Sequence, residues 1–258
     1  MKKNILLFDS HCHLQDERIT DNLEQIMQRA YQAGVSSFLC CGSCEEDWPV
    51  VEKVSLKYPG VFPAYGIHPW YIHEKSRNWL ETLERYISTT NAAVGEIGLD
   101  NAITSNSFDE QSEIFRLQIR LANKYKRPVS LHCRKAWQAM TEILSEEGGL
   151  VSGGAIHSYS GSAEFIPILE KLGCYISFSC SVTKSGNKRA RKACPAVSDS
   201  RLLIETDTPD IPPLGDNPVN EPANILLVLK TVSELRNSSI DEIARLTFDN
   251  ATRLFGKS

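Results

Sequence analysis

Hydrophobic positions along this chain follow two alternating patterns: short continuous apolar runs, and longer segments in which apolar residues recur every three or four positions. Short apolar runs are typical of buried strands, and the longer period is typical of amphipathic helices. The runs predict strands over residues 5–9, 35–41, 61–67, 92–97, 128–131, 154–157, 174–179 and 201–206. The longer period predicts helices over residues 21–33, 45–58, 78–88, 108–125, 135–147, 163–172, 187–194 and 221–236.

This regular alternation predicts a parallel sheet with helices outside it, and eight units favour an α/β protein with a (β/α)8 TIM-like barrel. An open doubly wound sheet is the alternative, but the first strand is not followed by a glycine-rich phosphate loop. Residues 241–255 predict a pair of extra C-terminal helices on the outside. With 258 residues, 41% of them hydrophobic, the chain can bury one large core. We therefore expect one domain over residues 1–258, although length alone also allows two small ones.

Two histidines close the first predicted strand. His11 and His13 are two positions apart, so their side chains leave an extended segment on the same side. Two imidazoles held in this way could bind one metal ion. Asp9, just before them, could orient one of the rings through its second nitrogen. A polar strand end with two incidental histidines would have the same spacing, so the rest of the chain must decide.

Further ligand-type residues stand at the ends of later strands, where the active sites of such barrels lie. These are Glu96 at the end of the fourth strand, His132 just past the fifth, His157 at the end of the sixth and Asp207 just past the eighth. Any one of them could be structural, but six such residues on one rim indicate a metal centre. Because six ligands exceed what one catalytic zinc with an open position uses, we expect two metal ions.

Composition limits the partners. A formal net charge of −4 and a pI near 5.9 argue against general affinity for nucleic acid, so any such contact must be local. A basic cluster after the seventh strand could hold a phosphate backbone or be an ordinary solvated helix face; it consists of Lys184, Lys188, Arg189, Arg191 and Lys192. No aromatic residues alternate with these charges, so the sequence shows no stacking platform for single strands.

The chain shows no sign of export or membrane insertion. The apolar run before Asp9 is too short for a signal peptide. No later run approaches the roughly 18 to 20 apolar residues of a membrane span. We expect a cytoplasmic protein without membrane contact, in which the eight cysteines are thiols. Cys41-Gly-Ser-Cys44 has no second CxxC partner for a structural zinc, so it indicates ordinary thiols.

Several motifs occur in order over nearly the whole chain. They are Asp9-Ser10-His11-Cys12-His13, Tyr65-Gly66-Ile67-His68-Pro69, Val94-Gly95-Glu96-Ile97-Gly98-Leu99-Asp100, Leu131-His132-Cys133-Arg134, His157-Ser158-Tyr159-Ser160-Gly161, Glu205-Thr206-Asp207-Thr208-Pro209 and Asn220-Glu221-Pro222. On these motifs the chain resembles the TatD-type deoxyribonuclease family of the amidohydrolase superfamily. The resemblance implies that His11, His13 and Asp207 hold one metal and that His132 and His157 hold a second. Glu96 would bridge the two ions, and His68 would contact substrate phosphate.

The activity that this resemblance implies is metal-dependent hydrolysis of ester bonds, most specifically a deoxyribonuclease that trims DNA from a 3′ end. Two divalent ions, Mg²⁺ or Mn²⁺ in action, would activate a shared water, and Asp207 would take its proton. Arg134 could stabilise charge on a phosphodiester or merely cap a helix start. Since four histidines are soft ligands for Mg²⁺, we expect Zn²⁺, Mn²⁺ or Fe²⁺ to bind more tightly.

Departures from the family pattern affect the substrate cleft. Asn101-Ala102 replace an aromatic pair that often follows Gly-Leu-Asp, and Val219 replaces an arginine that commonly precedes Asn-Glu-Pro. None of these positions is an expected metal ligand. The ligand pattern therefore stays complete, and the expected differences concern the shape and charge of the cleft.

Three other functions share parts of this pattern. Deacylation of D-aminoacyl-tRNA would use the same metal ligands on a carboxylic ester. A small-molecule amidohydrolase of the dihydroorotase type is disfavoured, because Glu96 takes the place of the modified lysine that bridges the metals in many of those enzymes. A non-catalytic scaffold is disfavoured by the complete ligand set. We expect a monomer, and the sequence leaves open the true substrate and its polarity.

Overall fold

The eight strands of this computed structural model, which describes residues 6–103, 107–213 and 218–256, form one parallel sheet in sequence order. They are β1 (Leu7–Cys12), β2 (Val35–Cys41), β3 (Val61–Tyr65), β4 (Ala93–Asp100), β5 (Val129–Arg134), β6 (Gly154–Ile156), β7 (Cys174–Phe178) and β8 (Leu202–Ile204). Where the first and last strands meet, Asp207 N donates to His11 O over 3.0 Å and His13 N donates to Thr208 O over 2.6 Å. These bonds join β1 to the segment after β8, and the predicted TIM-like barrel is confirmed.

Helices connect the strands and cover the barrel. They are α1 (Glu17–Thr20), α2 (Leu23–Gln32), α3 (Trp48–Lys57), α4 (Trp79–Thr89), α5 (Phe108–Tyr125), α6 (Trp137–Glu146), α7 (Ile166–Lys171), α8 (Lys188–Ala193), α9 (Ile225–Arg236) and α10 (Ile240–Phe255). In α2, the buried residues Leu23, Ile26, Met27 and Ala30 follow the helical period and face the sheet. Within the described ranges, no helix is long and apolar enough to cross a membrane.

The C-terminal segment differs from its prediction. In place of a helical pair over residues 241–255, the chain forms one helix, α10. The side chain of Ser239 caps it by accepting a hydrogen bond from Glu242 N. One continuous helix can bury all of these apolar residues, because the buried residues of α10 lie on one helical face throughout. α10 contacts β1 and β8 and so covers the place where the first and last strands meet.

Three strands run further than their apolar runs predict. β1 continues to Cys12, β4 to Asp100 and β5 to Arg134. Three predicted ligands therefore lie inside strands and not at or beyond their ends: His11, Glu96 and His132. The apolar pattern stops early because buried polar residues interrupt it, whereas the backbone pairing between the strands continues. The ladder is irregular between Asp9 and Cys12. Residue 5, where the first strand is predicted to begin, lies outside the described residues.

Side chains alternate between the inside and the outside of the barrel. In β2, Phe38 and Cys40 belong to the large apolar cluster beneath the helices, whereas Leu39 and Cys41 belong to a second, smaller cluster. The smaller cluster takes one or two residues from most strands and is completed by Leu254 and Phe255 of α10. Since alternate residues of barrel strands point inward, this cluster is the interior of the barrel. The interior is therefore apolar at its N-terminal end.

The cysteines are all free thiols, as predicted. Seven of the eight are buried, and Cys44 is half-buried. Several use their S–H groups inside the core: Cys40 Sγ donates to Gln15 Oε1 over 3.1 Å and Cys12 Sγ donates to Leu39 O over 3.3 Å. These thiols behave as small apolar residues with a weak donor.

Candidate metal centre

Glu96 lies at the centre of the predicted ligands and is 3% exposed. Its Oε2 atom is 3.3 Å from Nε2 of His11 and 3.3 Å from Nε2 of His13. Its Oε1 atom is 2.8 Å from Nε2 of His157 and 3.0 Å from Nδ1 of His132. Each carboxylate oxygen therefore faces a different pair of these four imidazoles, which is the geometry that a bridging ligand needs.

Asp207 completes the first side of the cluster. Its Oδ1 atom is 3.6 Å from His11 Nε2 and 3.8 Å from His13 Nε2. Among the described residues, three sets have donor atoms within 4.8 Å of one another: His11, His13 and Asp207; His11, Glu96 and His157; His68, Glu96 and His132. The expected convergence of six residues on one rim is confirmed. Their roles as ligands stay a prediction.

Close contact between neighbouring strands positions the second side of the cluster. β4 and β5 pair with Gly98 opposite His132, and a Cβ atom at Gly98 would lie only 1.9 Å from the carbonyl oxygen of His132. Gly98 also has a φ of +153°, a conformation that other residues rarely adopt. Backbone hydrogen bonding continues at the next strand, where His157 N donates to Leu131 O over 3.0 Å. The strand register thus brings the imidazoles of His132 and His157 to the same edge as Glu96.

Hydrogen bonds on the outer ring nitrogens orient two of the imidazoles. His13 Nδ1 donates to the carbonyl oxygen of Cys41 over 2.7 Å, and His132 Nε2 donates to Oδ2 of Asp100 over 3.2 Å. Carbonyl and carboxylate oxygens only accept, so the N–H of each neutral ring points outward. The inner nitrogen then faces Glu96, and in the neutral ring it has a free lone pair for a metal ion. This arrangement is typical of histidines that bind metal ions.

Two further buried groups stand behind His11 and His157. Ser130 Oγ lies 2.8 Å from His11 Nδ1. Oε1 of Glu205 lies 3.5 Å from His157 Nδ1 and accepts a 2.6 Å hydrogen bond from Ser158 N. Glu205 is fully buried, and its carboxylate gives the outer edge of His157 a negative neighbour.

The ring of His68 directs its N–H group toward the cluster, unlike the neutral rings of His13 and His132, whose N–H groups point outward. Its Nδ1 accepts a hydrogen bond from Trp70 N over 3.2 Å, so the neutral ring carries its hydrogen on Nε2, which lies 3.4 Å from Glu96 Oε1. Burial lowers the pKa of His68 to about 4, so the ring is neutral at pH 7. His68 therefore presents an N–H donor to the cluster, whereas the rings of His13 and His132 would present lone pairs to a metal ion once their inner nitrogens are deprotonated.

Protonation in the metal-free chain also indicates a cation site. Burial lowers the pKa of His11 to about 4. Burial also acts against the charge on His13, but the hydrogen bond and charge of Glu96 outweigh it and raise that pKa to about 9. For Glu96, the surrounding imidazoles, led by His157, outweigh burial and hold its pKa well below the usual range. The charged Glu96 carboxylate therefore favours a positive charge on His13, while His11 stays neutral and keeps a lone pair on its inner nitrogen. Imidazole and carboxylate donors grouped in this way fit a divalent transition metal.

The cluster opens into a cleft of about 1080 Å³. Its lining includes His13, His68, Glu96, His132, His157 and Asp207, together with Trp70 and Arg134. Arg134 is exposed and lines this cleft, and its role as a substrate contact stays a prediction. Burial raises the pKa of Asp207, at the cleft floor, to about 7. A carboxyl group in this range can exchange a proton near neutral pH.

The basic cluster lies near the cleft but does not line it. Asn187, just before α8, is a lining residue, and none of the five cationic residues is among the described residues that line the cleft. Lys188, Arg189 and Lys192 are exposed on α8. Arg191 instead donates from Nη1 to the carbonyl oxygen of Val182 over 2.9 Å. The exposed cations of α8 are therefore available at the rim, and Arg191 serves the local fold.

Asp9 does not orient an imidazole, so that hypothesis is wrong. Its Oδ1 accepts from Thr206 N over 2.9 Å and its Oδ2 accepts from Thr206 Oγ1 over 2.5 Å. Asp9 thus ties β1 to the segment after β8. The ring contacts come from Asp100, Glu205 and Ser130, which sequence reasoning missed. Glu205 could have been found, because it is an acidic residue near the end of the predicted strand 201–206 and only two positions before Asp207.

A barrel with a buried imidazole and carboxylate cluster at its C-terminal rim is typical of a metal-dependent hydrolase. The family model described as TatD related DNase matches residues 8–256, and the chain belongs to the TatD family. The uncharacterized metal-dependent hydrolase YabD of Bacillus subtilis is 33% identical over 97% of this chain and 99% of its own. The crystal structure of YjjV, a TatD homolog of Escherichia coli, superposes with a TM-score of 0.94 at 30% identity, covering 99% and 100% of the two chains. A relative named 3′-5′ ssDNA/RNA exonuclease TatD, from Escherichia fergusonii, is 28% identical over 98% of this chain and 100% of its own.

Proposed function

We propose that residues 1–258 form one hydrolase domain that binds two divalent metal ions and removes nucleotides from the 3′ end of single-stranded nucleic acid. The observation that carries the two-metal part is the position of Glu96, whose two oxygens each face a separate pair of imidazoles. The substrate part is supported by the Escherichia fergusonii relative, a 3′-5′ exonuclease of single-stranded DNA and RNA whose similarity extends over 98% of this chain.

The proposed ligands divide into two sets around Glu96. His11, His13 and Asp207 would hold one ion, and His132 and His157 would hold the other. When bound, two such ions polarise a phosphoryl oxygen and lower the pKa of a water molecule. Since the donors are mainly imidazoles, we propose Mn²⁺ or Zn²⁺ as the tightest binders, with Mg²⁺ able to support activity.

Asp207 and Glu96 have different proposed roles in the reaction. Asp207 lies on the cleft side of the cluster, so its carboxylate would accept the proton of the attacking water and return it to the leaving 3′ oxygen. Glu96 is held by imidazoles on both oxygens, so it would keep its charge and hold the two halves of the site in register. The proton transfer therefore falls to Asp207.

Two residues around the cluster would bind the scissile phosphate. His68 directs a neutral Nε2–H donor toward the same space as the proposed ligands, which suits a phosphate oxygen better than a metal ion. Arg134 is exposed at the cleft lining, where its guanidinium could pair with phosphate in a bidentate manner. Exposed Lys188, Arg189 and Lys192 on α8 would contact the backbone further from the cleavage point.

Metal-stripped protein, reloaded separately with Mg²⁺, Mn²⁺ and Zn²⁺, provides the test. Single-stranded DNA and RNA labelled at the 5′ end should give a descending ladder, and 3′-labelled strands should release labelled mononucleotides at once. Asp207→Asn should abolish both signals. D-tyrosyl-tRNA is assayed in parallel: cleavage of that ester, with nucleic acid intact in every metal, would contradict the nuclease proposal.

A further inference from the structure

Trp70 is an exposed tryptophan on the wall of the cleft. It is 49% exposed, whereas Trp48 and Trp79 are buried in the core. It lines the same cleft as His68, Glu96 and His132. A large aromatic side chain in a concave polar site is typical of a ligand-binding position.

The ring of Trp70 is held in place from two sides. Its indole Nε1 donates to Oδ2 of the fully buried Asp100 over 2.8 Å, and the same oxygen accepts from His132 Nε2. Its backbone N–H donates to His68 Nδ1, and the two rings meet edge to face with centroids 5.2 Å apart. The indole is thus positioned by two residues that also contact the proposed metal centre.

The charge of the surrounding wall shows why an uncharged contact matters here. The cleft lining includes the carboxylates of Asp16, Glu17, Glu46, Asp47, Glu74 and Asp210. Among the cations of the described lining, Arg18 already pairs with Asp16 and Asp210, over 2.7 and 2.9 Å. Arg134 is the other arginine of the described lining, and it is the proposed contact of the scissile phosphate. The carboxylates outnumber the arginines and repel further phosphates, so an uncharged aromatic contact to a base would add affinity that the rest of this lining does not supply.

We propose that Trp70 is a stacking platform for the base of a nucleotide that flanks the cleaved phosphodiester. This inference rests on the proposed nuclease function and adds a base-binding subsite to it. Every nucleobase has a π-face, so the platform would favour the presence of a base over its identity. A ring that is already fixed loses little conformational entropy when a base stacks on it.

The kinetic test uses 5′-labelled single strands that differ only in one missing base, at the 3′-terminal or the penultimate nucleotide. For one of these two strands, the wild-type enzyme should show a KM raised about tenfold, the low end of what one stacked base contributes. Trp70→Leu should raise KM on the intact strand to a similar extent, and removal of the base should then raise the KM of this variant no further. Trp70→Phe keeps an aromatic face without the N–H, so it should retain most of the discrimination.

A matched control and a direct binding signal separate this inference from the nuclease proposal. Tyr31 is 46% exposed, lies outside the described cleft lining and packs on Phe38, so Tyr31→Leu should behave as wild type. A phosphorothioate-linked single strand should quench tryptophan emission in the wild type and not in Trp70→Phe. That difference would support the platform even if no phosphodiester is cleaved. Equal quenching of both proteins, or unchanged base discrimination in Trp70→Leu, would overturn it.

Discussion

The two ends of the barrel interior are equally buried and chemically opposite. At the N-terminal end of the strands, Phe8 and Leu203 pack with Phe255 of α10, and all three are at most 5% exposed. At the C-terminal end, His11 is fully buried and Glu96 is 3% exposed. The first end is stabilised by removal of apolar surface from water. The second holds charges that need a partner, so its stability depends on what binds there.

A single strand makes this transition within a few residues. Inward positions at and just beyond β8 are Leu203, then Glu205, then Asp207, which pass from the apolar interior to the cleft floor. The inward side chains thus change from apolar to acidic with height in the barrel, although β8 itself ends at Ile204 and Asp207 has a positive φ of 61°. Stability and chemistry are therefore assigned to different levels of the same strands, and substitutions at the two levels should have different effects.

The largest effect is expected at Glu96. Glu96→Gln keeps the shape of the side chain but removes the charge shared by the two imidazole pairs, and bound metal ions supply several kcal/mol of transition-state stabilisation. Hydrolysis should fall at least about a thousandfold. Steady-state kinetics with metal analysis of each preparation measures this. Glu24→Gln, on the exposed face of α2, is the matched control, and an active Glu96→Gln enzyme would contradict the assignment.

Truncation at the apolar end should reduce stability and leave the chemistry intact. Leu203→Ala opens a cavity in the barrel interior and should lower the free energy of unfolding by about 3 kcal/mol. The rate per folded molecule should not change. Denaturant unfolding and active-site titration measure the two quantities. Leu56→Ala, at a position 80% exposed, should change stability by less than about 0.5 kcal/mol; an equal loss there would refute the comparison.

Metal binding should stabilise the polar end by a somewhat smaller amount. A free metal concentration of about 100 times Kd adds about 2.7 kcal/mol to the free energy of unfolding, since the ion binds only the folded cluster. For a chain of this size, Tm should then rise by roughly 5 to 10 °C. Calorimetry of the metal-free protein with and without Mn²⁺ or Zn²⁺ tests this. Leu203→Ala should show the full rise and Glu96→Gln a reduced one; equal rises in both would show that the metal binds elsewhere.

The smallest effect is the coupling of metal binding to pH. In the metal-free chain the pKa of His13 is raised to about 9, so at pH 7 its ring carries a proton that a metal ion must displace. The affinity for the metal ion should therefore increase between pH 7 and 9, by up to about tenfold per pH unit for each proton that binding releases. Titration calorimetry in buffers of different ionisation enthalpy counts those protons. On binding metal, His13→Gln should release fewer protons than the wild type. His73→Gln, which lies outside the described metal groups, should release the same number.

Sequence reasoning located most elements of this protein and missed a specific kind of residue. Helix 108–125 was predicted at the observed bounds of α5, because its apolar period is uninterrupted and Asp109 and Glu110 occupy the first turn. Strands β1, β4 and β5 were predicted too short, because their buried polar residues do not look like strand interiors. Asp100 and Trp70 were missed for a related reason: their roles come from contacts with each other and with His132, and no periodicity encodes such contacts.

The sequence by itself determined the eight-fold alternation of strands and helices and the presence of six ligand-type residues near the C-terminal ends of strands. Both follow from local patterns, because apolar periodicity and strand direction decide which side chains face inward and at which end. Only the tertiary structure decided which nitrogen of each imidazole faces Glu96, that Asp9 binds Thr206, and that Trp70 stands on Asp100 at the cleft wall. Those contacts join strands far apart in the chain, and their geometry depends on barrel closure and strand register, which bring distant residues together only when the whole sheet has formed.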